Sequence, residues 1–366
     1  MKRDKRVVSA AADSGAVAAT RELAAAEEAV AACRELAAGD PDGYAPDLAT
    51  ALNDLGSCLA QAGRPADALA AVEEAVAAWR VLAGADPGRW GPGLAATLSN
   101  LGVLLAEMDR GAAALAAVEE AVATWRELAV ADPDGCRPRL ARALHSLAAR
   151  FAALSQADDA VRAERESVAV YRELAAAGPD RYRVSLATGL HSLGIWLAEL
   201  GRPADAVPVD REAVGIYREL VGADAGRYRA DLAGALSNLS AQLGELGDHG
   251  QSLVAADESV TLYKQLDRAD PGGCAPALGT ALMNLSAAYV GARRPADALR
   301  SARECIAVYR WLDKTSPGRY GPDLASCLDN LATCLDYQAT VLVSRGRNVR
   351  ARVLAREAAR IRLGTR

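Results

Sequence analysis

A block of the form Leu52-x-x-Leu55-Gly56-x-x-Leu59, followed by Ala68-x-x-x-Val72, returns along the chain with a fixed step of 46 residues. Leu98, Leu144, Leu190, Leu236, Leu282 and Leu328 repeat Leu52, and Leu101, Leu147, Leu193, Leu239, Leu285 and Leu331 repeat Leu55. The junction ahead of each block keeps the step through Asp40, Asp86, Asp132, Gly178, Asp224, Asp270 and Ser316, so six intervals pass without insertion or deletion. A unit this short cannot bury its apolar face alone and must lean on a neighbour, which predicts a stacked array whose core grows with the number of units. The 366 residues are therefore expected to form one elongated solenoid rather than two or three globular domains.

Alanine and leucine dominate, β-branched residues are scattered and there is one Phe, a composition that favours helix and gives no strand-like alternation. The grammar of one unit runs as follows. A loop, Gly39–Ala45, carries an Asp-Pro break, and Pro46 suits a first helical turn. Helix A reaches about Ala62, Gly63-Arg64-Pro65 forms a corner, and helix B continues to about Ala83. The corner recurs at Gly201-Arg202-Pro203 and, in altered form, at Arg293-Arg294-Pro295. The period predicts seven A helices and eight B helices.

The ends depart from the rule. Residues 1–15 are expected to be a flexible N-terminus, and 16–38 an N-terminal half-repeat helix, because Val30, Cys33 and Leu36 fall on Val76, Trp79 and Leu82 after one step. Lys2, Arg6 and Ser9 sit where Leu48, Leu52 and Leu55 belong, so the array over 39–338 opens on a half unit, either a cap or the edge of something longer. In the last unit the Gly346-Arg347 corner comes seven residues late, which predicts an A helix lengthened by about two turns without turning its face. Residues 339–366 are expected as a basic C-terminal helix acting as a cap; from Arg345 to Arg366 there are eight arginines and one acid, Glu357.

At 100° per residue Leu52, Leu55, Gly56 and Leu59 share one face of helix A, and Ala68, Val72, Ala75, Val76, Trp79 and Leu82 one face of helix B. The Gly56 position is always small: Gly102, Ala148, Gly194, Ser240, Ser286, Ala332. The opposite face of helix A carries Thr50, Asn53, Asp54, Ser57 and Gln61. At the 54 position the series is Asp54, Asn100, Ser146, Ser192, Asn238, Asn284, Asn330, with no apolar member. Asn and Ser are poor helix formers, so something offsets their return: a hydrogen bond that each unit needs, or a ladder offered to a bound chain.

These blocks resemble the tetratricopeptide repeat. Leu52-x-x-Leu55-Gly56-x-x-Leu59 and Ala68-x-x-x-Val72 reproduce its W-x2-L-G-x2-Y…A-x3-F spacing with aliphatic residues in place of aromatic ones, and Ala75, Ala121, Ser167, Ala213, Ser259 and Cys305 fill its third small position. The unit exceeds the family's usual 34 residues, as in the extended variant of kinesin light chains. The resemblance implies an all-α, right-handed superhelical solenoid of antiparallel helix pairs, with A helices lining a concave wall on which a peptide or partner protein docks. The family's two-carboxylate clamp is present only in pieces such as Asn53 and Arg142, so its ligand is not expected here.

A catalytic site occurs once, whereas a scaffold device occurs in every unit. Glu74, Glu120, Glu166, Glu212, Glu258 and Glu304, with Arg80, Arg126, Arg172, Arg218 and Arg310, therefore read as repeated surface or bridging charges. His145 and His191 occupy one A-helix position in consecutive units and are expected on the free face, His249 replaces a corner Pro, and Trp196 reads as core. The seven cysteines form no C-x-x-C pair and read as small apolar fillers in a reducing compartment; Cys327 and Cys334 lack a His at zinc spacing. Phosphate-loop, nucleophile-elbow, zinc-helix and dinucleotide motifs do not occur, so no enzyme, cofactor or metal is expected. The net charge of −5, the lack of a membrane-length apolar run and the lack of a signal-peptide core predict a cytoplasmic protein without a general pull toward nucleic acid.

The function expected is a non-catalytic scaffold or sensor arm binding a peptide or protein through Asn53, Asp54, Asn100, His145, Ser146, His191, Ser192, Asn238, Asn284 and Asn330. Gln61, Glu107, Glu199 and Glu245 tilt the expected ligand toward a basic or polar peptide. Two alternatives are a basic C-terminal helix that meets nucleic acid or an acidic partner, and a structural arm of a larger signalling protein. Oligomeric state and ligand identity have no signature in the chain.

Overall fold

A computed structural model describes the backbone of residues 2–364 and the side chains of residues 20–40 and 43–362. Helices follow one another throughout the described residues, with no strand, and they fall into two compact units, Met1–Ala177 and Gly178–Arg366. The first unit holds α1 (Lys2–Gly39), α2 (Pro41–Gln61), α3 (Pro65–Ala85), α4 (Pro87–Glu107), α5 (Gly111–Ala131), α6 (Pro133–Ala153) and α7 (Ala157–Ala177). The second holds α8 (Pro179–Glu199), α9 (Pro203–Ala223), α10 (Ala225–Glu245), α11 (His249–Ala269), α12 (Ala275–Gly291), α13 (Pro295–Thr315), α14 (Gly321–Ser344) and α15 (Asn348–Gly364). Even-numbered helices are the seven A helices and odd-numbered ones the eight B helices. Within each unit every helix packs on the next, giving a row of antiparallel pairs. The boundary between the two units falls at Ala177–Gly178, the junction where the usual aspartate is a glycine and α8 starts without a side-chain cap.

The Asp-Pro junctions are tighter than the seven-residue loop expected from them. Asp40 alone separates α1 from α2, because Pro41 is already the first helical residue. The Asp40 carboxylate accepts from the Gly43 N–H at 3.1 Å, Asp86 from Arg89 at 3.0 Å, Asp132 from Gly135 at 3.0 Å and Asp224 from Arg227 at 3.1 Å. Each bond satisfies one of the orphan donors of a helix start. Two junctions stay open. At Gly272 (φ +90°) and Gly318 (φ +80°) the chain turns left-handed before α12 and α14 begin. The Gly272 N–H donates to Asp267 at 3.0 Å and the Gly318 N–H to Asp313 at 3.2 Å. Sister units have Ala37, Ala83, Ala129, Ala175 and Val221 at that acid's place, and Gly88 and Gly226, at the glycine's place, are helical. The carboxylate, not the glycine alone, holds the turn.

All seven A-to-B corners share one geometry. A left-handed residue follows each A helix, and the next N–H reaches back to a carbonyl five residues earlier, as in Arg64 to Leu59 and Arg110 to Leu105. Four corners use glycine (63, 201, 247, 346); Asp109, Ser155 and Arg293 adopt the same conformation at φ 55°, 59° and 59°.

Inside a hairpin, the small residue of helix A is the seat of a helix B side chain. A Cβ on Gly56 would collide with Val72, and one on Gly102 with Val118. Where that place is Ser240 or Ser286, the facing residue shrinks to Ala256 or Ala302. At the third small position, the Ser167 hydroxyl donates to the Ala141 carbonyl at 2.9 Å and the Ser259 hydroxyl to that of Ala233 at 2.7 Å. Around these seats lie Leu52, Leu98 and Leu144 in the first unit and Leu190, Leu236 and Leu282 in the second, all buried; each contributes about 1.5–3 kcal/mol before the entropy cost. Neighbouring B helices are laced by exposed ion pairs such as Arg34–Glu74, Arg80–Glu120 and Arg218–Glu258, worth roughly 0.2–1 kcal/mol each.

The ends differ from expectation in their boundaries. The side chains of the expected flexible segment 1–15 lie outside the described residues; the backbone of α1 runs through it from Lys2, past Gly15. At the other end α14 extends to Ser344, so the basic helix starts at Asn348 rather than at 339. The seven extra residues keep the face: Ala351 and Ala358, displaced by seven from the places of Ala298 and Cys305, are 3% and 0% exposed.

Candidate functional site

The polar series on the A helices divides its work. Asp54 and Asn100 are exposed, whereas Asn53, Ser146, Ser192, Asn238, Asn284 and Asn330 are half-buried. In the first unit Asn100 Nδ2 donates to Asn53 Oδ1 at 2.9 Å. In the second, Asn284 Nδ2 donates to Ser237 Oγ at 3.0 Å and to the Ser237 carbonyl at 3.2 Å. Asn330 Nδ2 reaches the Met283 carbonyl at 3.4 Å, and its Oδ1 accepts from Ser286 at 3.1 Å. Each of these three asparagines therefore reaches back to the preceding A helix. A helix-to-helix bond offsets the poor helix propensity of Asn100, Asn284 and Asn330.

Asn100 and Ser146 also share a cleft of about 400 Å³ in the first unit, with Ser99, Trp125, Arg139 and Arg142 on its walls. Its charges are both guanidinium. The acidic tilt expected from Gln61, Glu107, Glu199 and Glu245 does not reach it, because each of those residues is exposed as the last of its A helix. Ser99 Oγ is turned to the Ala95 carbonyl at 2.9 Å, leaving the amide of Asn100, the Ser146 hydroxyl and two arginines around the opening.

The two histidines correct the sequence reading, which put them on the free face. His145 turns Nδ1 inward to both oxygens of Glu164, at 2.9 and 3.0 Å. Glu164 is fully buried, at a place that is Val72 and Val118 in the preceding pairs. The hydrogen bond to that carboxylate raises His145 above the ordinary imidazole value, and burial pushes Glu164 up. His191 likewise buries Nδ1, but no protein group pairs with it, and burial lowers its affinity for a proton. Asp210 stands one step beyond Glu164; it is 0% exposed, with neither carboxylate oxygen paired. Glu164 and Asp210 escaped the sequence reading, although a carboxylate where sister units have Val72, Val118, Ala256 and Ala302 is the signal that marks them.

Trp196 is buried, and all seven cysteines are free thiols. Among the described residues no group of three His, Cys, Asp or Glu side chains is placed to hold a metal, and no helix is long and apolar enough to cross a membrane.

The tetratricopeptide repeat family model matches residues 48–87, 94–133, 186–224 and 278–310. No curated protein matches the chain. Among solved structures, BtubC (BKLC) from P. vanneervenii is similar at 22% identity and a TM-score of 0.55, over 68% of this chain and 92% of that one. Aspartyl phosphate phosphatase F from Bacillus subtilis is similar at 12% identity and a TM-score of 0.54, over 90% and 73%. A signal transduction ATPase with numerous domains, which carries a tetratricopeptide repeat sensor, from Pyrococcus horikoshii is similar at 12% identity and a TM-score of 0.53, over 91% of this chain and 45% of that one.

Proposed function

Because the chain is a tetratricopeptide-repeat protein, we propose that it is a non-catalytic scaffold or sensor arm that receives a segment of a partner protein on the free faces of its A helices. The observation that carries this reading is the cleft around Asn100, Ser146, Arg139 and Arg142, open in the middle of two A helices rather than at their ends. An amide, a hydroxyl and two guanidinium groups can hold peptide carbonyls and a side-chain or terminal carboxylate, and Trp125 supplies an apolar wall. The segment preferred there is extended and polar with an acidic residue, in place of the basic peptide that the helix-end acids suggest. The bonds that Asn284 and Asn330 make to the preceding A helix support a role for these two as spacers that hold adjacent A helices in register.

Selection from a charge-balanced peptide library tests this. The expected result is enrichment of acidic, polar peptides whose binding falls at least tenfold in Arg142→Glu; enrichment of basic peptides, or indifference to that change, contradicts it.

One observation favours a second reading. Between α13, α14 and α15 lies a groove of about 450 Å³ lined by Arg303, Arg310, Arg360 and Glu357 over Ile306, Leu328, Leu331 and Ile361. Arg310 continues the series that pairs with glutamate in earlier units, yet no carboxylate among the described residues bridges it. An acidic partner docking on this C-terminal groove is the alternative to docking on the A-helix faces.

A further inference from the structure

Four side chains of the second unit carry buried polar atoms with no protein partner: His191 Nδ1, both oxygens of Asp210, Asn238 Nδ2 and Gln242 Oε1. They lie on α8, α9 and α10, which pack on one another. One contact and two equivalences between repeats place them together. Asp210 is pressed against Gly194, where a Cβ would collide with its carboxylate. The places of Asn238 and Gln242 relative to Gly194 are those of Asn330 and Cys334 relative to Ser286, two steps further along the chain. There Ser286 Oγ meets Asn330 Oδ1 at 3.1 Å and Cys334 Sγ at 3.2 Å. His191 and Asp210, in turn, repeat His145 and Glu164, whose bond closes at 2.9 Å.

The difference between those two His–acid pairs is one methylene. Glu164 is long enough to touch its imidazole, while Asp210 is drawn into the seat that Gly194 leaves and its carboxylate has no hydrogen-bonding partner in the protein. The unpaired atoms match in kind. Asp210 and Gln242 Oε1 accept; Asn238 Nδ2 donates, and so does His191 when Nδ1 carries the ring proton. A tetrahedral water can accept from those two donors and donate to Gln242 Oε1 and one of the two Asp210 oxygens, and leaving these groups unmet in the core would be costly.

We propose that His191, Asp210, Asn238 and Gln242 form an internal site that holds one buried water molecule, and that this water joins α8, α9 and α10, whereas in the first unit a direct His–acid bond joins α6 to α7. The site is linked to protons. Burial pushes Asp210 up to about 7 from the usual carboxylate range, and no neighbouring charge contributes. Facing it are His191 from α8, itself held toward its neutral form, and the neutral amides Asn238 and Gln242 from α10. Since the folded value exceeds the unfolded one, the stabilisation tied to the Asp210 proton is complete at low pH and is lost as pH rises from about 4 through about 7.

A crystal structure of the full chain showing ordered solvent, with thermal unfolding of wild type, Asp210→Asn and Asp210→Glu across pH 4.5 to 8.5, tests the proposal. The expected result is one solvent peak within about 2.7–3.2 Å of at least three of the four groups. The Tm of Asp210→Asn should gain on wild type as pH rises toward about 7, and Asp210→Glu should expel the water by closing onto His191, raising the pH at which that imidazole titrates. A direct Asp210–His191 bond in the wild-type crystal would overturn it. So would parallel pH profiles for wild type and Asp210→Asn, and this second comparison decides the matter if Asp210→Glu does not fold.

Discussion

His145 and Glu164 show how a single substitution in a repeat changes what its neighbour does. A carboxylate at a valine's place is tolerated because an imidazole one turn of packing away can meet it, and the fully buried Glu164 would otherwise be an unpaired group in the core. The pair makes a prediction with a sign. The folded value of His145 is raised above 6.5, so the stabilisation is complete below about pH 6.5 and is lost as pH rises through that higher value. In an NMR titration His145 is expected to protonate at higher pH than His191, which burial shifts downward, and Glu164→Gln should bring His145 down toward the ordinary value. A His145 that titrates at or below His191 would refute the pairing. At this scale the sequence was partly legible. The recurring Asn and Ser were visible as a series, but their partners were not, because Ser237, Met283 and Asn53 lie a whole unit away and a linear reading pairs residues only along one helix. The inward turn of His145 follows from an acid on a different helix, which could be seen only by comparing Glu164 with its sister positions Val72 and Val118.

Helix positions were legible because the period repeats every cap and corner, and errors fell where one residue does two jobs. The Asp-Pro dipeptide marks a break, yet its proline is the first helical residue, so the junction shrinks to a single aspartate. The open turns before α12 and α14 depend on Asp267 and Asp313, which sit in the preceding helix. Between elements the fit is volumetric: Gly102 receives Val118, while Ser240 and Ser286 face Ala256 and Ala302. Gly102→Ala is therefore expected to cost about 1–3 kcal/mol in denaturant unfolding, through overpacking against Val118. Adding Val118→Ala should recover part of that loss, with a coupling of roughly 0.5–3 kcal/mol in a double-mutant cycle. Strict additivity of the two changes would contradict the seat.

Across the whole molecule the 46-residue step specifies a row of helix pairs, and the lengthened α14 shows that the row tolerates an insertion when it equals two turns and leaves the buried face in place. What the step cannot specify is the boundary between the two units, since the Gly178 junction keeps the period while losing the cap that the Asp40, Asp86, Asp132 and Asp224 junctions carry. Nor does it fix which surface meets a partner, since A-helix faces and the arginine-lined C-terminal groove are both products of the same repeat. Hydrogen–deuterium exchange of the full chain, with and without a peptide selected by it, distinguishes them directly. Protection concentrated on the free faces of A helices, beginning with α4 and α6 around Asn100 and Ser146, is the predicted result. Protection confined to α13 and α15 around Arg303, Arg310 and Arg360 would contradict it.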